Sequence, residues 1–182
     1  MNVQRLIENI IEQIKEAQLK LGFEKEVIRL YFPLESLCRL LELSGMDGKE
    51  LIVRLKGEPG FADTLLGAIE FSLCRDQKRI EVCVSPYGAS YVQEKVPDPP
   101  FLAAIIRLFQ NNHCLTMEQI CTCFEQFNHN YVCEKMKPGT DFDYVLYFPD
   151  HNPDPWYYCV KIEMGHTIYH RFTKEDYDSL VL

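Results

Sequence analysis

The sequence predicts an α+β fold in which amphipathic helices are combined with antiparallel β-meanders. Two observations support this prediction. In several segments apolar residues recur at helical spacing, and in others they alternate with polar residues at a period of two. The chain has 182 residues, of which 47% are hydrophobic and 25% charged, a composition typical of a globular protein with a buried core.

Helical spacing, capping residues and alternation divide the first half into elements. Apolar residues at positions 6, 7, 10, 11 and 14 share one face of a predicted helix that ends at Gly22. Asp47 and Glu50 have the spacing of a capping box before a short helix, although residues 51–53 would also suit a strand. The predicted elements are the first helix, a strand over 26–32, a helix over 33–41, a short helix over 51–56, and strands over 69–73, 80–84 and 89–96, the last after a β-turn at 85–88.

The run Pro-Asp-Pro-Pro at 97–100 is the strongest break in the chain and predicts a boundary between two domains. Residues 1–96 would hold helices and a three-stranded meander. Residues 97–182 would hold helices, an antiparallel sheet and a short C-terminal helix. The elements predicted after the break are helices over 101–110 and 117–127, strands over 131–136, 143–148, 156–163 and 166–172, and a helical turn that begins at Thr173.

The two halves resemble each other over one helix. Residues 33–42 align without gaps on residues 116–125, and the aligned pairs Glu35/Glu118, Cys38/Cys121 and Glu42/Glu125 are identical. In a winged helix, helices precede a β-hairpin, and both halves have this predicted order. The internal repeat therefore predicts two tandem winged-helix-like modules. The alternative is chance similarity, because two amphipathic helices with one period place apolar residues at the same positions.

Charge and apolar content restrict the partners and the location. No apolar run has the length of a membrane span, and acidic residues interrupt the N-terminal apolar positions, which disfavours a signal peptide. We therefore expect a cytoplasmic protein with no membrane partner and with reduced thiols rather than disulfides. The net charge is −8, most of it after residue 97, and an acidic surface disfavours nucleic acid as a partner.

Thiol and imidazole side chains are concentrated between residues 113 and 133. Cys121 falls in the predicted core stripe of its helix, and Cys123 lies about 200° round the axis, so the two cannot bind one metal from an intact helix. The chain has no Cys-x-x-Cys knuckle of the kind that structural zinc sites use. Buried packing thiols are the favoured interpretation, and no cofactor is expected. The weak metal candidates at the helix ends are His113, Cys114, His129 and Cys133.

A hairpin near the C-terminus carries the candidate catalytic residues. With Met164-Gly165 as its turn, Cys159 lies opposite His170, and Glu163 lies opposite His166. A thiol beside an imidazole can form an activated nucleophile, but a cysteine that packs on a half-buried sheet is the alternative. The other face of this hairpin is predicted to be the apolar one, with Tyr158, Val160, Ile162 and Tyr169. Supporting carboxylates would be Asp141 or Asp143, which as strand-edge charges would instead deter edge pairing.

Five segments resemble a family of short proteins from anaerobic gut Firmicutes that is catalogued only as a domain of unknown function. The segments are EVIRLYFPL (26–34), IEVCVSPYG (80–88), YVCEKM (131–136), GTDFDYVLYF (139–148) and MGHTIYHRF (164–172). The resemblance covers nearly the whole chain. It implies a bacterial cytoplasmic protein and assigns no catalytic residue.

Two hypotheses of different classes follow. The first is a non-catalytic binding or regulatory module for a protein or small molecule, whose contact surface would be the aromatic residues Tyr131, Tyr144, Tyr147, Trp156 and Tyr157. The second is a small enzyme that uses Cys159 and His170 with His166 and an aspartate. A winged helix that binds nucleic acid is the third hypothesis, and the negative net charge disfavours it. The chain has no phosphate loop, dinucleotide motif or Gly-x-Ser-x-Gly elbow, which disfavours the usual kinds of nucleotide-driven chemistry.

Overall fold

Helices and antiparallel strands form the fold in a computed structural model that describes residues 1–112 and 114–181. The chain divides into two units, Met1–Asp98 and Pro99–Leu182. The first contains α1 (Val3–Leu21), β1 (Ile28–Pro33), α2 (Leu34–Leu40), α3 (Gly48–Lys56), a 3₁₀ turn (Pro59–Phe61), β2 (Ile69–Leu73), β3 (Arg79–Val84) and α4 (Pro86–Lys95). The second contains α5 (Pro100–Asn111), α6 (Met117–Phe127), β4 (Val132–Lys135), β5 (Tyr144–Tyr147), β6 (Tyr157–Glu163), β7 (His166–Phe172) and α7 (Lys174–Val181). The predicted α+β class is confirmed.

The first unit packs its helices on a three-stranded antiparallel sheet with strand order β1-β3-β2. Asp47 caps α3, because its Oδ1 accepts hydrogen bonds from the backbone N–H groups of Lys49 (2.8 Å) and Glu50 (2.9 Å). This cap decides the alternative at 51–53 in favour of a helix. The core contains the apolar faces of α1, α2 and α3 and the inner side of the sheet, including Leu6, Ile10, Leu37, Leu51, Ile80 and Val82.

The predicted strand over 89–96 is wrong, since residues 89–95 belong to α4 and Val96 is its C-cap. Ser85 caps the helix, with its Oγ accepting from the backbone N–H of Gly88, and Pro86 occupies the first turn. The same residues suit a β-turn, because a turn and a first helical turn share backbone angles. The buried residues Gly88, Ala89 and Val92 then lie at helical spacing, and β1 supplies the third strand.

The second unit is a four-stranded antiparallel meander with strand order β4-β5-β6-β7. On one face, rings from α5 and α6 pack against the sheet around Phe101, whose ring centroid lies 4.8 Å from Phe124, 5.0 Å from Phe148 and 5.5 Å from Tyr158. On the other face, α7 places Tyr177 4.8 Å from Tyr157. Both faces of the sheet are therefore covered.

The expectation of a single apolar face on the β6–β7 hairpin is wrong, because helices cover both faces of the sheet. Four successive residues of β6, Tyr157 to Val160, are buried, although their side chains alternate between the two faces. Ile162, which the alternation places on the apolar face, is 41% exposed.

The core cysteine of α6 is Cys123, and the prediction that Cys121 occupies the core stripe is wrong. The buried residues of this helix are Ile120, Cys123 and Phe124, whereas Cys121 is half-buried. In sequence, apolar residues at 117, 120, 121 and 124 define a core stripe almost as well as residues 120, 123 and 124 do. The two stripes differ by a turn of the helix about its axis that is smaller than the angle between consecutive residues, and this turn decided which thiol faces inward.

The helices of the sequence repeat lie in different surroundings. In the first unit α2 precedes another helix, α3, whereas α6 leads directly into the meander. The sheets also have different strand numbers and orders. Among the described residues, no helix combines the length and the hydrophobicity that crossing a membrane requires.

Candidate functional site

The β6–β7 hairpin has the predicted register. Met164 and Gly165 form a two-residue turn with φ angles of 50° and 80°, the left-handed conformation that tight hairpins require. Cys159 consequently pairs with His170, and Glu163 pairs with His166.

Cys159 nevertheless has the surroundings of a core residue. It is 0% exposed and packs with Met136, Val145 and Tyr157. Burial raises the pKa of this thiol to about 12, so it keeps its proton at neutral pH. His170 is exposed at the surface, where its ring centroid lies 5.5 Å from that of Phe142. This geometry gives a protonated buried thiol rather than an activated nucleophile.

The other residues proposed for catalysis do not converge on Cys159. Asp143 holds two strands together, because its backbone N–H donates to the carbonyl of Val160 (2.8 Å) and its Oδ2 accepts from the N–H of Ile162 (2.7 Å). Asp141 lies exposed in the preceding loop, and His166 lies exposed beside the turn. Asp143 therefore serves the backbone of the sheet.

The aromatic residues proposed as a contact surface pack against neighbouring side chains. Tyr147 and Tyr157 stack at 4.4 Å, and burial raises the pKa of both hydroxyls. The guanidinium carbon of Arg171 lies 4.6 Å from the ring centroid of Trp156. Tyr131 and Tyr144 are half-buried, the former 5.9 Å from the ring of Phe124. Of the five, Tyr157 is buried and the other four are half-buried.

The residues proposed as metal ligands do not form a metal site in the part of the chain that the structure describes. His113 lies outside the described residues. Cys114 is exposed, and Nδ1 of His129 lies 3.5 Å from Glu125. Over residues 1–112 and 114–181, no group of three or more histidine, cysteine, aspartate or glutamate side chains could hold a metal ion.

A groove of about 730 Å³ lies in the first unit, and we call it the β2 groove. Residues 68–72 line it without interruption, together with Leu55, Lys56, Glu58, Phe61 and Ala62 from the end of α3 and the following turn. Arg29, Glu81 and Cys83 from the other two strands line it as well, so the groove runs along β2, an end strand of the sheet, and extends over the outer face of the sheet. The volume lies within the usual range of about 300–1,000 Å³ for ligand sites.

One wall of the β2 groove is a hydrogen-bonded polar network on the outer face of the sheet. Glu81 accepts hydrogen bonds from Oγ of Ser72 (2.9 Å), Nη1 of Arg29 (3.0 Å) and the hydroxyl of Tyr31 (3.0 Å). The bond from Ser72, followed by those from Arg29 and Tyr31, holds the pKa of Glu81 below its usual range. Arg29 also donates to Sγ of Cys83 (3.5 Å). The network places the charged side chains of Arg29 and Glu81 side by side on the outer face of the sheet.

Sequence reasoning predicted this polar face from the alternation in β2 and β3 but missed the groove. The groove depends on the turn at residues 59–61 and on β2 being the last strand of its sheet, neither of which has a local pattern. The small residues Ala62 and Ala68 in the segment that leads into β2 were the available sequence signal.

These observations define a two-unit α+β protein with a groove along one sheet edge. The chain belongs to the family described as "Domain of unknown function, E. rectale Gene description (DUF3877)", whose model matches residues 3–181. Comparison with curated proteins and with solved structures found no match.

Proposed function

We propose that the protein is a non-catalytic binding module and that the β2 groove holds an extended peptide segment of a partner protein. The observation that carries this proposal is the continuous lining of the groove by residues 68–72, which lead into and include most of an end strand. An end strand presents backbone N–H and C=O groups to which an added peptide strand can pair.

The side chains around the groove suit a peptide with mixed chemistry. Ala62 and Ala68 are exposed and offer a small apolar contact for one peptide side chain, whereas Phe61, Phe71 and Leu55 line the groove but are buried. Glu70 is exposed on the strand, and Lys56 is exposed on the opposite wall. Apolar contact would supply affinity, and the two charges would set the direction of the peptide.

A random heptapeptide phage library panned on the purified protein tests this proposal. Selected peptides should bind the native protein and fail to bind Ala68→Trp, in which an indole fills the groove. The control is Glu94→Trp on the exposed side of α4, which adds the same ring outside the groove. Peptides that bind Ala68→Trp as well as they bind the native protein would refute the proposed site, and so would a library that yields no specific binder.

The order of elements supports a finer proposal, that the first unit is winged-helix-like. Its elements run α1-β1-α2-α3-β2-β3, and its sheet order is β1-β3-β2. A winged helix has the same succession of three helices with a strand after the first and a hairpin after the third. Solving the structure of residues 1–98 and comparing it with winged-helix domains tests this proposal.

Nucleic acid is the second candidate partner, favoured by local charge. Lys49, Arg54 and Lys56 are exposed on α3, and Arg75 and Lys78 are exposed in the β2–β3 turn. The net charge of −8 opposes such binding, so we rank it below a peptide. A gel shift with sheared DNA at low salt discriminates the two: a shift that is lost in a double Arg54→Ala, Lys56→Ala variant would favour nucleic acid.

A further inference from the structure

The outer face of the first sheet carries polar side chains in two rows that cross its three strands. Antiparallel pairing aligns Glu70 of β2 with Cys83 of β3, and Cys83 with Arg29 of β1. The second row lies two residues along each strand and contains Ser72, Glu81 and Tyr31. Glu70 and Ser72 therefore stand at the ends of their rows, on the strand along which the β2 groove runs.

Glu70 is the charged member of these rows that has no counter-charge. Nη1 of Arg29 lies 3.0 Å from one carboxylate oxygen of Glu81, and the other oxygen accepts from Ser72 at 2.9 Å. Glu70 is exposed, and within residues 1–112 and 114–181 no group forms a hydrogen bond or an ion pair with its carboxylate. The carboxylate of Glu70 can therefore pair with a cation of a bound molecule without breaking an existing contact.

The other charges of the groove leave its lining with an excess of carboxylates. The opposite wall contributes the ammonium of Lys56 and the carboxylate of Glu58, whose Oε1 accepts from the backbone N–H of Gly60 at 3.4 Å. Because Arg29 and Glu81 neutralise each other, the remaining lining charges are those of Lys56, Glu58 and Glu70. Salt screens exposed charges beyond about 8 Å at physiological ionic strength, so this local excess affects a bound ligand more than the distant charges of the protein do.

We propose that the peptide bound in the β2 groove carries a lysine or arginine that pairs with Glu70, an inference that rests on the peptide-binding function proposed above. A peptide strand paired with β2 places every second side chain on the outer face, with its Cβ atom about 4.5–5.5 Å from that of the opposite residue. A basic side chain opposite Glu70 then contacts the free carboxylate. The next outer-face side chain lies opposite Ser72, whose hydroxyl already donates to Glu81, so a charge at that position gains no partner.

An exposed charge pair between two strands contributes modestly to binding, so the expected effects of substitution are graded. Glu70→Gln removes the charge and should weaken the binding of a basic peptide about threefold. Glu70→Lys replaces attraction by repulsion and should weaken it about tenfold. Both substitutions change an exposed residue that lies outside the Arg29–Glu81 pair.

Panning the heptapeptide library on the native protein and on Glu70→Lys tests this proposal. Relative to the unselected library, the native pool should be enriched in lysine or arginine at one position, and the Glu70→Lys pool should be enriched in aspartate or glutamate at that position. Native binders that Ala68→Trp blocks but that show no such basic residue would overturn this inference and still support the groove. A library that yields no specific binder would refute the peptide-binding function and this inference with it.

A charge swap with one selected peptide provides a second measurement. Fluorescence anisotropy should show about tenfold weaker binding of the basic peptide to Glu70→Lys than to the native protein. Replacing the basic residue of the peptide by glutamate should restore binding to Glu70→Lys, to within about threefold of the native pair. Absence of this rescue in a variant that circular dichroism shows to be folded would overturn the proposal. If Glu70→Lys does not fold, Glu70→Gln decides the question, since an unchanged affinity would overturn the proposal.

The matched control is Glu94→Lys, which makes the same change of charge on the exposed side of α4, outside the groove. Because salt screens distant charges, this variant should change the affinity of the peptide by less than about twofold. Equal losses of affinity for Glu94→Lys and Glu70→Lys would show that the peptide responds to the net charge of the protein, and would overturn the pairing with Glu70.

Discussion

Replacing Phe101 by alanine tests whether the aromatic cluster on α5 and α6 stabilises the second unit. Phe101 is 1% exposed, and its ring lies within 5.5 Å, centroid to centroid, of the rings of Phe124, Phe127, Phe148 and Tyr158. Its removal opens a cavity at the centre of the cluster, where neighbouring side chains can collapse only partly.

Phe101→Ala should lower the free energy of unfolding by an amount that is large relative to the stability of a small unit. Truncation of a buried phenylalanine to alanine costs about 3–5 kcal/mol, and a ring with four edge-to-face contacts belongs near the upper end of that range. With a urea m-value of about 1–1.5 kcal/mol/M, the unfolding midpoint should fall by about 3 M. A unit of ordinary stability would then be close to unfolding without denaturant.

Tryptophan fluorescence is the appropriate assay, because Trp156 is the one tryptophan of the chain and lies in the second unit. The matched control is Phe127→Ala, since Phe127 is 36% exposed and contacts Phe101 at 5.3 Å. We expect Phe127→Ala to lower the free energy of unfolding by about 1–2 kcal/mol, because this variant loses less buried apolar surface than Phe101→Ala does. Equal midpoint shifts for the two variants would refute the assignment of Phe101 to the centre of the cluster.

Three further predictions follow from particular contacts. Gly88→Ala should destabilise the first unit by about 2 kcal/mol in urea unfolding followed by circular dichroism, because a Cβ there would lie 2.4 Å from Cγ1 of Val84. The native protein should have a higher free energy of unfolding than Glu81→Gln at neutral pH. This difference should disappear as the pH falls below 4.5, the ordinary pKa of a glutamate, since the folded state holds the pKa of Glu81 low. Native Cys159 should be alkylated by iodoacetamide more slowly than Cys114 from about pH 5 to about pH 9, because it is buried and its pKa is raised to about 12.

Each of these predictions has its own control. Gly48→Ala meets only the flexible end of the Leu73 side chain, at 2.7 Å, and should cost less than Gly88→Ala; a larger cost would contradict the reasoning. Glu94→Gln, which removes an exposed carboxylate of α4, is the matched control for Glu81→Gln. Rapid native labelling of Cys159 would revive the catalytic hypothesis.

Local patterns predicted most elements and one register. The spacing of apolar residues in α1, the cap at Asp47 and the Met164-Gly165 turn depend on residues close in sequence, and all three were found as expected. The α4 segment was misassigned because its residues satisfy both a turn followed by a strand and a capped helix. Packing of Val92 into the core favoured the helix.

The sequence by itself determined the α+β class and, through the alternation around a two-residue turn, the pairing of Cys159 with His170. Only the tertiary structure decided that this thiol is buried, because α7 and the neighbouring strands cover the face on which it lies. Tertiary structure also decided that Cys123 rather than Cys121 faces the core and that β2 ends its sheet beside an open groove. The physical reason is that a strand or helix shows its own periodicity in sequence, whereas the element that covers each of its faces comes from a distant part of the chain.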